Sequence, residues 1–484
     1  MAGPCIRGLH QRGHMKRLLI GIIIWIAGCL LSVSVQAKKV IGLQEAINLA
    51  LERNRQLLDA RDSLTSARYS LQSAQADFKI EISPSTKVGF SGSSGRSTVE
   101  DLGLGLNFYK KLPWGTELSL TPNISRTDSQ YGSSVEVGLA QPLLKGLGRK
   151  QAMSGVYSAQ FGLRSSMRSL QLSEINTILS TVRAVYDCIK QKEELRQNMA
   201  SYDRLKSHRE SLLAKARSGY GPAIDMYRVE LELAQAENAV VQSQEALGDA
   251  YDSLKVLLDL PLDQEIDVKA PLEFSKISLS LSKVLNIAFN HRIEIIQAFD
   301  EIKEARRLSE VAENDTWPQL NLVVKYGRLG YGTALGSSFG LDDHYWTVSL
   351  ISNTDFFRRR EKLAYQQSLL NVRRAIRRYS LIKDGVTREV KNSVRMLRKA
   401  WRQIELRKNS IDNAKGKLEL AKVKFRWGKA SNFDLIEAEK ELRQAQTDFI
   451  KAVTDYIVGT YEFRRAIGTL MDDSGYDEKL NNWH

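Results

Sequence analysis

The sequence predicts a mixed α and β chain in which long antiparallel coiled-coil helical hairpins alternate with runs of strands, the whole unit occurring twice. Three observations carry this expectation. The 484 residues include only 9 Pro, with 26% charged and 8% aromatic side chains, a composition suited to long helices rather than to several compact domains. The hydrophobic period changes from helical to alternating and back within each half. The halves also superpose: Leu43 on Leu281 brings Asn48 onto Asn286, Ala50 onto Ala288, Leu57 onto Ile295 and Ala60 onto Ala298, and later Gly219 matches Gly428, Asp225 matches Asp434 and Gln235 matches Gln444. The offset falls from 238 to 209 between these anchors, so the first half carries about 29 extra residues.

Taken in order, residues 1–37 read as a secretion signal, with basic Lys16 and Arg17, an apolar core over 18–27, further apolar residues to Val33, and Val35-Gln36-Ala37 as a small-residue cleavage site. Met15-Lys16-Arg17 reads as the natural start of that signal, which makes residues 1–14 an expected start-site artefact. A second reading takes Ile26-Ala27-Gly28-Cys29 as a lipobox leaving a lipidated Cys29 at the mature N-terminus, although Leu30, Leu31 and Val33 continue the apolar run where a lipoprotein turns polar. Past the signal no run approaches the ~18–20 apolar residues of a transmembrane helix, so membrane contact is expected only from strands or an anchor. Of the 3 Cys, processing leaves Cys188 alone, which excludes an internal disulfide and a Cys-ligated metal site.

The first repeat is expected over 38–275, the second over 276–471, and a tail over 472–484. After a helix to about Phe78, alternating runs follow at Thr86, Val88 and Phe90; at Leu102, Leu104, Leu106 and Phe108; at Leu118, Leu120 and Ile124; and at Val135, Val137 and Leu139. The second repeat has two such runs, Leu320, Leu322, Val324 and Tyr326, then Trp346, Val348 and Leu350. The extra residues are therefore a strand pair within 102–126, turning around Lys110-Lys111-Leu112-Pro113-Trp114-Gly115. Aromatics gather in the strand zone (Phe108, Tyr109, Trp114, Tyr131, Tyr326, Tyr331, Tyr345, Trp346), a pattern that an interfacial girdle and plain strand propensity explain equally well.

Long helices come next. Residues 150–218 contain no Pro, and a continuous helix there would span roughly 100 Å. In the second repeat Val390, Leu397, Ile404, Ile411, Leu418 and Phe425 recur every seventh position, the signature of a coiled-coil seam. Each long helix ends at a glycine break, Gly219-Tyr220-Gly221-Pro222 or Gly428-Lys429-Ala430-Ser431, and a second helix follows. The net charge of +14 would suggest nucleic acid in a cytoplasmic protein, but export argues against that partner. Residues 358–408 hold 17 basic residues against 4 acidic ones, whereas 223–259 hold Asp225, Glu230, Glu232, Glu237, Glu245, Asp249, Asp252 and Asp259 against Arg228 and Lys255. The two segments read as neighbouring helices with complementary solvated faces.

Over residues 40–471 the chain resembles the TolC family of Gram-negative outer-membrane efflux proteins. The resemblance rests on the repeated helix–strand–strand–helix–helix unit, on Gln141-Pro142-Leu143-Leu144-Lys145-Gly146 leading into the long helix, and on hairpin tips with Asp six residues after Gly, as in Gly219 to Asp225 and Gly428 to Asp434. It implies a homotrimer whose strands close one shared β-barrel in outer-membrane lipid and whose helices form a periplasmic tunnel. Such a channel exports substrates from the periplasm, or directly from an inner-membrane pump and a periplasmic adaptor. The chain departs from the pattern in its additional strand pair and in Asn353-Thr354-Asp355-Phe356, where the second repeat usually has a Pro-Leu-Phe turn. Barrel physics independently favours an oligomer, because six strand runs fall short of the eight or so needed for closure and would leave bare edges in lipid.

No catalytic, cofactor or metal pattern stands out. Gly336-Ser337-Ser338-Phe339-Gly340 matches a nucleophile-elbow spacing but lies between strands, and the His residues past the signal (His208, His291, His344, His484) are scattered. The resemblance places acidic residues at the periplasmic entrance, which makes Asp434, Glu437 and Asp225 candidates there. Asp434 is equally explained as a helix-start residue. Gly219 and Gly428 are candidate adaptor-docking tips. A periplasmic coiled-coil adaptor, or a structural protein of the envelope, is the competing reading; one hairpin would suffice for the first, and neither needs duplicated strands.

Overall fold

The computed structural model of the chain describes residues 39–92, 99–217, 223–277 and 280–471. The expected signal with Cys29, the first hairpin tip with Gly219, and the C-terminal tail lie outside them.

The first helical stretch is two helices, α1 (Leu43–Arg53) and α2 (Arg55–Ala76), rather than one to Phe78. The cause is Asn54, which is buried between them: its Oδ1 accepts from Leu57 N at 3.2 Å, and its Nδ2 donates to Leu257 O at 3.1 Å. Next come a short turn of helix, α3 (Arg149–Ala152), the long α4 (Ser154–Arg217) and the returning α5 (Ala223–Leu258). The second half follows the same plan: α6 (Leu281–His291) and α7 (Ile293–Asp315) break at buried Arg292. Its guanidinium donates to Glu294, Glu389 and the Ala466 carbonyl. The long α9 (Arg359–Arg426) and its return α10 (Asn432–Ile467) complete the helices.

These helices form a layer in the order α5, α4, α10, α9 at the tip end and α2, α4, α7, α9 at the other. Two clusters hold it at mid-height. Val182 and Tyr186 of α4 join Val390, Val394 and Leu397 of α9 and Val453 and Ile457 of α10; Val185 and Cys188 join Ala250 and Leu254 of α5. A short parallel pair, β1 (Lys39–Gly42) with β6 (Ile266–Lys269), packs Ile41, Ile266 and Val268 into the second cluster. Sequence periodicity is silent about such four-residue strands. Burial pushes the Cys188 thiol up to about 12, so it remains a neutral, inert core group.

At the far end lies one 6-stranded antiparallel sheet in the order β2 (Glu81–Ser91), β3 (Val99–Lys111), β4 (Glu117–Thr127), β5 (Gln130–Pro142), β7 (Asn321–Gly332) and β8 (Asp343–Ile351). All six expected runs are strands, and β3 with β4 is the additional pair. A four-residue helix, α8 (Leu335–Ser338), folds back on β5 and β7, where Ser338 Oγ lies 2.8 Å from Ser133 Oγ. The serine of the elbow-like motif is thus buried in a loop contact. At the corner without the Pro-Leu-Phe turn, Thr354 Oγ1 accepts from Gln319 N at 2.8 Å, and Arg358 adopts φ +46° and donates to Thr316 O at 2.7 Å.

Candidate functional site: an outward apolar sheet and the hairpin tips

Cross-strand register gathers the apolar residues of the sheet onto one face. Val88 faces Leu102, Leu104 faces Ile124, Leu120 faces Val137, Val137 faces Tyr326 and Tyr326 faces Trp346. Apart from α8 at one end, nothing among the described residues covers it, and Leu104 and Trp346 are 62% and 72% exposed. The opposite face is polar and glycine-rich, with Lys87, Gly105, Asn107, Ser119, Thr121, Glu136, Gly138 and Lys325. It is also crowded: a Cβ on Gly138 would sit 2.5 Å from Ser119 Oγ. Glu136 accepts from Lys325 Nζ at 2.9 Å and from the Tyr345 hydroxyl at 2.5 Å. A soluble sheet buries its apolar face; this one bares it and gathers its polar groups on the other face, the alternation of strands that face lipid on one side and water on the other. Both edge strands, β2 and β8, have one side without a partner among the described residues.

At the opposite end of the helices, the second tip turns at Gly428. Its φ of +68° lets its N–H reach Phe425 O at 3.1 Å and lets Lys429 N reach Lys424 O at 2.8 Å, closing α9. Among the described residues nothing lies within 4 Å of where a Cβ would stand, so there the glycine serves backbone conformation rather than close approach. Ser431 then caps α10. Its Oγ accepts from Asp434 N at 3.2 Å, while Asp434 Oδ2 accepts from Ser431 N at 2.8 Å and from Ser431 Oγ at 2.8 Å. These hydrogen bonds, helped by Lys424 and Lys417, hold the Asp434 carboxyl below the usual carboxylate range. The helix-start role of Asp434 is therefore realised in the structure, and its fully exposed carboxylate retains its charge.

Glu437 is exposed one turn further on, on the same face. Beyond it Glu441 accepts from Lys417 Nζ at 2.7 Å, which raises the lysine's pKa, with Glu437 and Asp434 adding to the effect. Asp225 is not part of this face. It sits in the first turn of α5, 4.0 Å from Arg228, and its carbonyl accepts from Asn432 Nδ2 at 3.5 Å.

A cluster between α4 and α10 was not anticipated from the sequence. His208 Nε2 contacts Asn432 Oδ1, Arg443 donates to Asn198 Oδ1 at 2.8 Å, and Glu439 lies 3.8 Å from Arg204. Burial pushes the Glu439 carboxyl up, against the opposing pull of Arg204, His208 and Lys422. The available signal was Asn432 itself, which stands where the first repeat has Ala223.

A sheet with a bare apolar face joined to a layer of long helical hairpins is an architecture that solved structures share. The chain is similar to the Campylobacter jejuni CmeC outer membrane channel, with a TM-score of 0.72 at 15% identity over 91% of this chain and 88% of that one. It is similar to the open state of the Neisseria gonorrhoeae MtrE outer membrane channel, with a TM-score of 0.70 at 18% identity over 91% and 94%. The Vibrio cholerae outer membrane protein VceC gives 0.69 at 14% identity over 88% and 96%. No family model matches the sequence, and no curated protein matches it. The fold implied by the TolC-family resemblance is the fold the chain has.

Proposed function

We propose that the chain is one protomer of an outer-membrane channel-tunnel that exports substrates from the periplasm, or directly from an inner-membrane pump and periplasmic adaptor, to the outside. The observation that carries this reading is the bare apolar face of a six-stranded sheet with two open edges, at the end of a helical layer remote from the hairpin tips. Three copies would pool about 18 strands, within the range of closed membrane barrels. The polar face would then line the pore, and the helices would continue it into the periplasm.

Within this reading Asp434 and Glu437 stand near the periplasmic entrance, where threefold symmetry turns each into an acidic ring. Asp225, whose backbone carbonyl accepts from Asn432 at the start of α10, would support the tip rather than line the aperture. Gly428, and Gly219 by its matching place in the sequence, mark the ends that an adaptor hairpin would reach. The adaptor or structural-protein alternative finds no use for the sheet. The decisive experiment is reconstitution: purified protein should run as a heat-sensitive trimer and conduct ions across a lipid bilayer, whereas a monomer that stays soluble after detergent removal would refute the proposal.

A further inference from the structure

We propose that the apolar face of the sheet ends, at the rim remote from the helices, in a binding site for phosphorylated lipid headgroups made by Arg126, Arg328 and His344. The site rests on the channel reading for its contact with a membrane and adds the lipid chemistry that the rim holds.

Alternation along each strand puts the three bases where they are. On β4 the row Leu118, Leu120, Pro122 and Ile124 runs on by the same two-residue step to Arg126. On β7 Leu322, Val324 and Tyr326 run on to Arg328, and on β8 Leu350, Val348 and Trp346, read away from the helices, run on to His344. The bases therefore share the face that carries the apolar rows and stand at its far end. Register sets Arg328 between Val135 and His344, and Arg126 between Leu102 and Tyr131. An aromatic ring accompanies each base: the Tyr131 ring lies 5.7 Å from the Arg126 guanidinium, and Tyr326 and Trp346 precede Arg328 and His344 in their rows. The other charged strand residues of this face, among those described, are Lys110 at the helix end and the acid Glu100, while Asp343 falls by alternation on the opposite face.

A ledge marks this level as the top of the apolar band. Beyond Arg328 the row continues to Gly330 and Gly332, and there the loop carrying α8 is seated on the sheet: a Cβ on Gly330 would stand 2.0 Å from the Ser338 carbonyl oxygen, and one on Gly332 2.0 Å from Ser337 Oγ. Lipid chains lying along β7 must stop at that ledge, so the group that heads them comes to Arg328. The cations are free to meet it. Arg328 and His344 are exposed and make no hydrogen bond or ion pair among the described residues, and Arg126, besides its contact with Tyr131, gives only its Nε, to Asp128 O at 3.0 Å. Two guanidinium forks about 16 Å apart, by two strand spacings and four residues, suit a headgroup carrying two phosphates, since each fork can hold one phosphate through paired N–H donors. The imidazole of His344 beside Arg328 adds a donor. A soluble anion or an acidic peptide would need neither the unbroken apolar rows below the bases nor the flanking rings; an anion borne on acyl chains uses all three.

The test uses the full chain, purified as the trimer, stripped of lipid and placed in phosphatidylcholine nanodiscs, with bisphosphorylated lipid A as the probe and native mass spectrometry as the readout. The parent should bind lipid A, Arg126→Gln with Arg328→Gln should bind it roughly tenfold more weakly or worse, and Arg126→Lys with Arg328→Lys should lose less. Lys110→Gln, at the other end of the same face, should bind as the parent does. Dephosphorylated lipid A should not bind the parent, and excess inorganic phosphate should not displace the intact lipid, which separates a lipid-borne headgroup from a free anion. Equal binding by the parent and the double Gln variant would overturn the site, as would full binding of the dephosphorylated lipid or displacement by inorganic phosphate. Should the Gln variant fail to assemble, the dephosphorylated lipid on the parent decides by itself. A trimer that conducts ions but binds lipid A without regard to these residues overturns the site and keeps the channel; binding through them by a chain that conducts nothing keeps the site and overturns the channel.

Discussion

Asp434 commits one carboxylate oxygen to closing the first turn of α10, and this fixes how its charge enters stability. Its folded pKa lies below the unfolded value near 3.9, so its stabilisation is fully present above that value and is lost as pH falls through the folded pKa. Asp434→Asn should therefore be less heat-stable than the parent at pH 7, with the difference closing toward pH 2 in thermal unfolding. Glu437 makes no hydrogen bond or ion pair among the described residues, whereas Asp434 is bonded to Ser431 and faces Lys417 and Lys424. Bilayer reversal potentials should accordingly show a larger loss of cation preference for Glu437→Gln than for Asp434→Asn; equal, unchanged selectivity for both would remove the pair from the aperture. Gly428→Ala, strained by its positive φ but meeting no atom of the described residues, should cost about 1–2 kcal/mol in denaturant unfolding and leave export intact. If the tip is an adaptor-docking surface, Gly428→Trp should abolish export while trimers still assemble.

The element breaks divide what was legible in the sequence from what was not. Heptads such as Val390 to Leu418 and the alternation of the six strands survive in any packing that buries one face, so periodicity revealed them. The breaks at Asn54 and Arg292 depend on partners about two hundred residues away, or contributed by several helices at once: the Leu257 carbonyl for Asn54, and Glu389 with the Ala466 carbonyl for Arg292. The local part, the Asn54 cap on Leu57 and the Arg292 pair with Glu294, does not by itself break a helix. At the tips, Gly428 and the Ser431 to Asp434 cap were readable as helix punctuation, but the His208 to Asn432 contact was not, because it joins two separate hairpins. The Arg292 node makes a prediction at this scale. Glu389 also accepts from Arg465 Nη1 at 2.8 Å, so Glu389→Ala takes one of two carboxylates from the buried Arg292 guanidinium, which keeps Glu294 and the Ala466 carbonyl, and should cost about 1–3 kcal/mol, against under ~1 kcal/mol for exposed Glu405→Ala. Chemical unfolding of the two variants side by side reads the difference.

Strand direction constrains the whole molecule more tightly than strand number does. β2 leads away from the helices, β3 returns, β4 leads away and β5 returns to α3 and α4, so the additional pair is an insertion that preserves direction at both of its ends. Excising residues 99–127 would leave β2 free to pair antiparallel with β5, losing mainly the turn at Trp114, whose carbonyl accepts from Gly148 N at 3.3 Å. Three such chains would still supply about 12 strands, enough to close a narrower barrel. Removing one strand of the pair has a different consequence: with β4 alone deleted, the strand returning to the helices would have to run the wrong way, and its apolar face would turn inward or its end would miss α3. The hairpin deletion should therefore still give a heat-sensitive trimer in the outer membrane, and the single-strand deletion should give none. If both deletions assemble equally well, the sheet is not part of a closed barrel, and the long helices alone would have to account for the oligomer.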